Sequence, residues 1–299
     1  MRALTLALIL AMGGCAGFPQ EADYVLFEPD PNRGGLGRSG PAGVACAERT
    51  IPARVWDAID VTVCWPAKAD GTLAEDGPFN AAVFLHGGLV EPLRYRWLIA
   101  HMASRGYVVI APAHKGLLAL TEEANASAAL DWLEEAAEAE GLLKGSLDLG
   151  NGAAVIGHSL GAVVAAMRWV ADERFGGLVM LAGFPAEGTD LESRRGTPSL
   201  SIGGQRDLMS TPQEVKEGFS KLPEPRWLGM VTGMHHFAWS DGNTASNLDG
   251  DGVPTRPLED LRSDALLLLD AFLDTHFKGS SKAYKALSGG MFPGVEVSQ

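Results

Sequence analysis

An α/β fold, with a mostly parallel central sheet and helices on both faces, is the architecture this sequence predicts. Three observations carry it. Short apolar runs of strand type alternate with longer runs of helical period from about residue 81 to residue 277, as in successive strand–helix–strand crossovers. The 299-residue length suits one large domain with a sizeable core. The pentapeptide Gly157-His158-Ser159-Leu160-Gly161 sits where a strand-type run ends and a helix-type run begins, which demands a sharp strand-to-helix turn.

Residues 1–14 read as a leader outside the fold. Arg2 precedes an apolar stretch from Ala3 to Met12, followed by Gly13-Gly14-Cys15. A short positive region, about ten apolar residues and small residues after them mark a secretory signal, too short for a permanent membrane span. A cysteine directly after two glycines resembles a bacterial lipoprotein signal. That resemblance implies lipidation of Cys15 and an exported protein, periplasm-facing or anchored to the outer membrane, otherwise secreted. The lipid anchor would be its one membrane contact. Residues 15–45 are rich in Gly, Pro and Arg and read as a tether or irregular arm. A single domain is then expected over residues 46–299.

Within that domain, Arg49 to Pro66 alternates as antiparallel strands do, most clearly at Val61-Thr62-Val63-Cys64-Trp65. Cys46 and Cys64 flank these runs. An even pair in an oxidising compartment is expected to form a disulfide, and a loop of that length stabilises by about 3 kcal/mol. Ala81 to Leu85 is a buried-type strand, and residues 92–104 form a helix with Leu93, Trp97, Leu98 and Met102 on one face. Tyr107 to Pro112 is the next strand. A helical segment over about 121–140 follows, with Asn125-Ala126-Ser127 read as surface.

Gly152 to Ile156 forms the strand before the pentapeptide, and Leu160, Val163, Val164, Met167 and Val170 recur at helical spacing after it. Leu178 to Leu181, Ser199 to Ile202 and Arg226 to Val231 are further strands, the last of these closing the sheet. Asp260 to Phe277 ends the domain as a helix striped by Leu261, Ala265, Leu268, Leu269 and Phe272. The tail from Lys278 onward is polar and Gly-rich and carries no assignment. A net charge of -13 argues against nucleic-acid binding, which needs a basic footprint; its reading is solubility. A monomer is expected.

The chemistry gathers at the ends of the predicted strands. A turn between strand and helix explains both Gly157 and Gly161, and it lifts the Ser159 hydroxyl clear of the sheet at a helix N-terminus. Serine is a poor nucleophile at neutral pH and needs a base. The strand from Ser199 runs into Gly203-Gly204-Gln205-Arg206-Asp207, which makes Asp207 the orienting acid. Asp190 and Glu214 are the alternatives, and a helix-capping role, for which Ser210 competes, is the competing explanation of Asp207. After the next strand come His235 and His236, among seven histidines in the chain; local physics leaves open which of the two is the base. His86 and His158 have turn roles, and His101, His114 and His276 are poorly placed. An oxyanion hole needs two backbone N–H groups. Leu160 supplies one, and Gly88, with Leu89 as second choice, the other, after Phe84-Leu85-His86-Gly87.

Together, His86-Gly87-Gly88, Arg105 to Pro112, the Ser159 turn, Asp207 and His236-Phe237 resemble the α/β-hydrolase superfamily over Ala81 to Phe277. The dienelactone-hydrolase-like, chlorophyllase-like and platelet-activating-factor-acetylhydrolase-like branches and the bacterial cutinases are the nearer likenesses. In those families the base is a histidine followed by an aromatic residue, which implies His236 over His235. The chain departs from the pattern with Ala113-His114 where Asp-His is common. No large lid insertion is evident between Ala182 and Pro198, which implies an open cleft.

The resemblance implies a serine hydrolase that cleaves carboxylic esters through an acyl-enzyme, on a small-molecule, lipid or polymer substrate, with no cofactor. The alternatives are amide or peptide hydrolysis on the same residues, or an inactive surface-binding lipoprotein. One further pattern, Asn247-Leu248-Asp249-Gly250-Asp251-Gly252, has the letters that open a calcium loop. A calcium ion at Asp249 and Asp251 would steady the loop that carries His236. A polar loop explains the same letters.

Overall fold

The computed structural model describes residues 18–54, 58–113 and 123–299. The leader residues 1–14 and Cys15 lie outside these residues, as does His114. In chain order the strands are β1 (Tyr24–Phe27), β2 (Gly43–Pro52), β3 (Ala58–Ala67), β4 (Phe79–Leu85), β5 (Tyr107–Pro112), β6 (Leu147–Asp148), β7 (Ala153–His158), β8 (Phe175–Leu181), β9 (Ser199–Gly204), β10 (Arg226–Val231) and β11 (Val295–Ser298). The helices are α1 (Arg96–Ser104), α2 (Ala124–Glu138), α3 (Leu160–Ala171), α4 (Pro212–Ser220), the single-turn α5 (Ala245–Leu248), α6 (Leu258–His276) and α7 (Ser281–Gly289).

All the strands join one sheet, in the order β1-β2-β3-β5-β4-β7-β8-β9-β10-β11, with the two-residue β6 beside β4. From β5 to β10 the neighbours are parallel, which confirms the α/β architecture. The antiparallel strands lie at the two ends, β1 to β3 on one side and β11 on the other. Central strands are apolar on both faces because helices cover both. In β4, Ala82 and Phe84 join one core while Ala81, Val83 and Leu85 join the other, the two-residue period of a strand. The first core takes its helical side chains from α1, α6 and α7, the second from α2, α3 and α4. The predicted stripe of α6, Leu261, Ala265, Leu268, Leu269 and Phe272, is wholly buried.

Cys46 and Cys64 are register partners of β2 and β3 and form a disulfide, with Cα atoms 4.1 Å apart. No helix of the described residues is long and apolar enough to cross a membrane.

Four local expectations are corrected. The segment read as a tether or arm is docked from residue 18 on. It supplies β1, the start of β2, and a loop whose Gly37 N–H donates to Asp270 Oδ2 at 2.7 Å and whose Gly40 N–H donates to Ser104 Oγ at 2.8 Å. A Cβ at Gly40 would fall 2.1 Å from the Ser104 carbonyl oxygen, so only glycine allows that approach. Asn125-Ala126-Ser127 is buried rather than surface, with Ser127 Oγ donating to Asp172 Oδ2 at 2.5 Å. The helix expected over 92–104 opens as a 3-10 turn, Pro92–Tyr95, before α1. The tail forms α7 and β11, so β10 is not the last strand. Ser280 caps α7 through the Ala283 N–H at 3.2 Å, and Gly290 ends it at φ 62°.

Candidate active site

Ser159 stands at the tip of the turn between β7 and α3, with φ 54° and ψ -121°. A non-glycine residue in the left-handed region costs of order 1–3 kcal/mol and persists only where its surroundings impose it. Here they do. A Cβ at Gly157 would sit 2.0 Å from the Gly161 carbonyl oxygen, and one at Gly161 would sit 2.2 Å from that of Leu85. The helix start is thereby pressed against the end of β4. The Ser159 N–H donates to Leu181 O at 2.9 Å, tying the turn to β8. Ser159 itself is half-exposed at the carboxyl edge of the sheet.

The loop after β4 reaches the same place. Gly88 faces Leu160, whose Cδ2 lies 3.2 Å and whose Cβ lies 3.6 Å from where a Gly88 Cβ would be. The two residues expected to supply oxyanion N–H groups are therefore neighbours. Leu89 follows with φ 59° and its side chain 72% exposed.

Asp207 lies on the turn after β9 and is fully buried, and the 98%-buried His236 follows β10. His236 Nδ1 is 2.9 Å from Asp207 Oδ2, while Asp207 Oδ1 accepts the N–H groups of Met209 (2.9 Å) and Ser210 (2.7 Å). Nδ1 therefore carries the proton shared with the carboxylate, which leaves Nε2 as the basic nitrogen. The two loops close on each other because Gly204 has no Cβ; one would lie 2.3 Å from Met234 O. The surroundings of the adjacent histidines differ. Among the described residues His235 Nδ1 has no hydrogen-bond partner, and burial pushes the His235 imidazole below its ordinary range. The alternative acids are placed elsewhere: Glu214 closes a capping box with Thr211 at the start of α4, and Asp190 precedes a 3-10 turn.

Two further residues bind these parts together. The Gly87 N–H donates to Tyr95 Oη at 3.1 Å, Tyr95 Oη lies 2.8 Å from His158 Nδ1, and His158 Nε2 lies 3.2 Å from the His236 carbonyl oxygen. One tautomer satisfies all three contacts: Nε2 protonated and donating to His236 O, Nδ1 accepting from the tyrosine hydroxyl. Burial holds the His158 imidazole well below its ordinary range, and the neighbouring His236 adds to this. Burial likewise raises the Tyr95 phenol. The His158 and His236 rings stand 4.8 Å apart, so the residue before Ser159 packs directly on His236. From sequence His158 has a turn role alone, and Tyr95, seven residues after the Gly-Gly loop, has no local signature.

A cavity of about 540 Å³ opens at the opposite edge of the sheet, between Pro41, Phe79, Asn80, Arg105 and Lys278, away from Ser159, Asp207 and His236. Among the described residues, no group of three or more His, Cys, Asp or Glu side chains is gathered for a metal ion. At the calcium-like loop, Asp251 accepts the backbone N–H groups of His236 (3.1 Å) and Phe237 (3.0 Å), while Asp249 is exposed.

A search of curated proteins returns no match. A family model described as the alpha/beta hydrolase family matches residues 81–245, more than half of the chain. That span holds most of β4 with its Gly-Gly loop, the Ser159 turn, Asp207 and His236. The match, the parallel sheet and the strained strand-to-helix turn agree: this chain belongs to the alpha/beta hydrolase family.

Proposed function

We propose that this hydrolase cleaves carboxylic esters through a serine acyl-enzyme, with Ser159 as nucleophile, His236 as general base and Asp207 as orienting acid. The observation that carries the reading is the buried His236–Asp207 pair at 2.9 Å, packed through His158 against a serine in a strained turn. In the mechanism that follows, Ser159 Oγ attacks the ester carbonyl as His236 Nε2 takes its proton. The imidazolium is stabilised by Asp207 and returns the proton to the leaving alcohol. The N–H groups of Gly88 and Leu160 receive the oxyanion, each contributing roughly 3 kcal/mol to the transition state. Water, activated by the same histidine, then releases the acid. The loops that carry these groups also expose Leu89, Leu208, Met209 and Val253. An apolar rim of this kind favours esters with an extended apolar part, lipid or polymer.

The test is labelling by a fluorophosphonate probe together with p-nitrophenyl ester turnover. Wild type labels, and Ser159→Ala does not. His236→Ala loses turnover by a factor on the order of 10⁴, while His235→Ala keeps most of it. A wild type that resists the probe under conditions that label a known serine esterase overturns the reading. A reversed effect of the two histidine variants reassigns the base.

We further propose that the protein is exported and held to a membrane by lipid on Cys15. The buried Cys46–Cys64 disulfide is compatible with an oxidising compartment, and the leader supplies the route. Cys15→Ser is expected to move the protein from the membrane fraction to the soluble one. Retention in the membrane fraction rejects the anchor.

A further inference from the structure

We propose that Asp251 and Gly252 form a positioning clamp that holds the His236 loop and the Asp207 loop in mutual register. The inference rests on the assignment of His236 and Asp207 above. His236–Trp239 is a 3-10 turn whose N-cap, His235, makes no side-chain cap bond. The first N–H groups of such a turn have no partner within it. Asp251 supplies one from fifteen residues away: Oδ1 accepts from His236 N at 3.1 Å and Oδ2 from Phe237 N at 3.0 Å, with Gly252 N adding 2.7 Å to Oδ1. Both carboxylate oxygens are therefore aimed at backbone.

The next residue fixes the other loop. A Cβ at Gly252 would fall 1.5 Å from the carbonyl oxygen of Arg206, the residue before Asp207. Glycine alone allows this approach. Arg206 N donates to Met234 O at 2.8 Å, and Arg206 Nε reaches Val253 O at 3.4 Å. Residues 251–253 thus touch the acid loop on one side and the base loop on the other. His236 keeps Nδ1 on Asp207 only while the two backbones hold this spacing, and a misplacement of about 1 Å at a reacting group costs on the order of 10²-fold in rate. The letters that resemble a calcium loop serve here as an anion at a turn N-terminus.

Asp251→Ala and Asp251→Asn in the full chain test the clamp. Asp251→Ala is expected to lower kcat for a p-nitrophenyl ester about 10²-fold with KM nearly unchanged. It should slow fluorophosphonate labelling in parallel, in protein whose near-UV circular dichroism matches wild type. Asp251→Asn keeps the shape and one acceptor oxygen, and is expected to lose about tenfold. Should Asp251→Ala fail to fold, Asp251→Asn decides alone. Wild-type kcat in a folded variant overturns the clamp. So does a wild-type kcat that falls on chelation and returns with added calcium, since Asp251 would then be a metal ligand. Failure of the Ser159 assignment looks different: wild type itself would not label.

Discussion

Two buried histidine–aspartate pairs of almost equal length occupy different places in this molecule. His236 Nδ1 meets Asp207 Oδ2 at 2.9 Å, and His101 Nε2 meets Asp270 Oδ1 at 2.8 Å. All four side chains are at least 97% buried. Distance and burial do not separate them; their surroundings do. Asp270 also meets Arg105 Nε at 3.1 Å and the Gly37 N–H at 2.7 Å, so it pins α1, α6 and the N-terminal arm together. His101 and Asp270 both sit inside helices, where neither side chain is presented at a strand end. Asp207 and His236 sit on loops after adjacent parallel strands, and His236 packs on His158, the residue before a serine whose backbone is strained. In open α/β sheets, ligands bind at the carboxyl ends of the strands. On the function proposed above, what sets the first pair apart is its position in the sheet and its neighbour, not its geometry alone.

Neutralising each acid in turn should give mirrored results. Asp207→Asn is expected to lower kcat by a factor on the order of 10⁴, because the amide no longer fixes the Nδ1-protonated tautomer, with a minor change in unfolding free energy. Asp270→Asn should do the opposite. It takes the carboxylate from His101 and leaves Arg105 with Asp274 alone, and breaking a buried pair costs about 3–5 kcal/mol. Turnover at low temperature should stay within a few-fold of wild type. Cys46→Ser combined with Cys64→Ser is the control for stability alone. It opens the loop between residues 18 apart in sequence, is expected to cost about 3 kcal/mol, and touches neither pair. Denaturant unfolding and p-nitrophenyl ester kinetics on the three proteins decide the matter. Loss of turnover in Asp270→Asn beyond that in the cysteine variant would break the distinction.

The contrast also explains which parts were legible in the sequence. Ser159, Asp207 and His236 each end or follow an apolar run bounded by glycine, so local pattern places them. The central strands are equally plain because both faces are apolar. β1 is not, since Tyr24–Phe27 is a four-residue edge strand with a register shift against β2 in a Pro- and Gly-rich stretch. Asn125 and Ser127 look like surface residues because nothing local says that a helix will bury them; Asp172, which receives Ser127, is 45 residues away. The tail carried usable letters: Ser280 as cap, Ala283 and Leu287 four apart and buried, Gly290 as stop. Thr211-x-x-Glu214 likewise spelled a capping box, which removes Glu214 from the candidate acids. Tyr95 had no such letters, because its contact is 63 residues away, and the letters around Asp251 spell a calcium loop and not its contact 15 residues away.

The smallest expected effects are in pH, and they separate the two edges again. Each edge holds a histidine that burial keeps neutral. His158 lies well below its ordinary range at the carboxyl edge of the sheet, and His276 is pushed down to about 4 beside Trp227 and Phe272. An unfolded histidine titrates near 6.5. Below that pH the unfolded chain binds protons that the folded chain refuses, so stability present above about 6.5 is lost as the pH falls. For His276 the loss runs from about 6.5 down to about 4. His276→Leu should flatten the unfolding free energy across this window and leave the pH profile of kcat unchanged. His158→Gln should flatten it too, but with lower turnover at every pH, since His158 braces the His236 carbonyl at 3.2 Å. An unfolding profile for His276→Leu that still parallels wild type would remove that histidine from the acid sensitivity. A shifted kcat profile in the same variant would couple an edge that the structure keeps apart from Ser159.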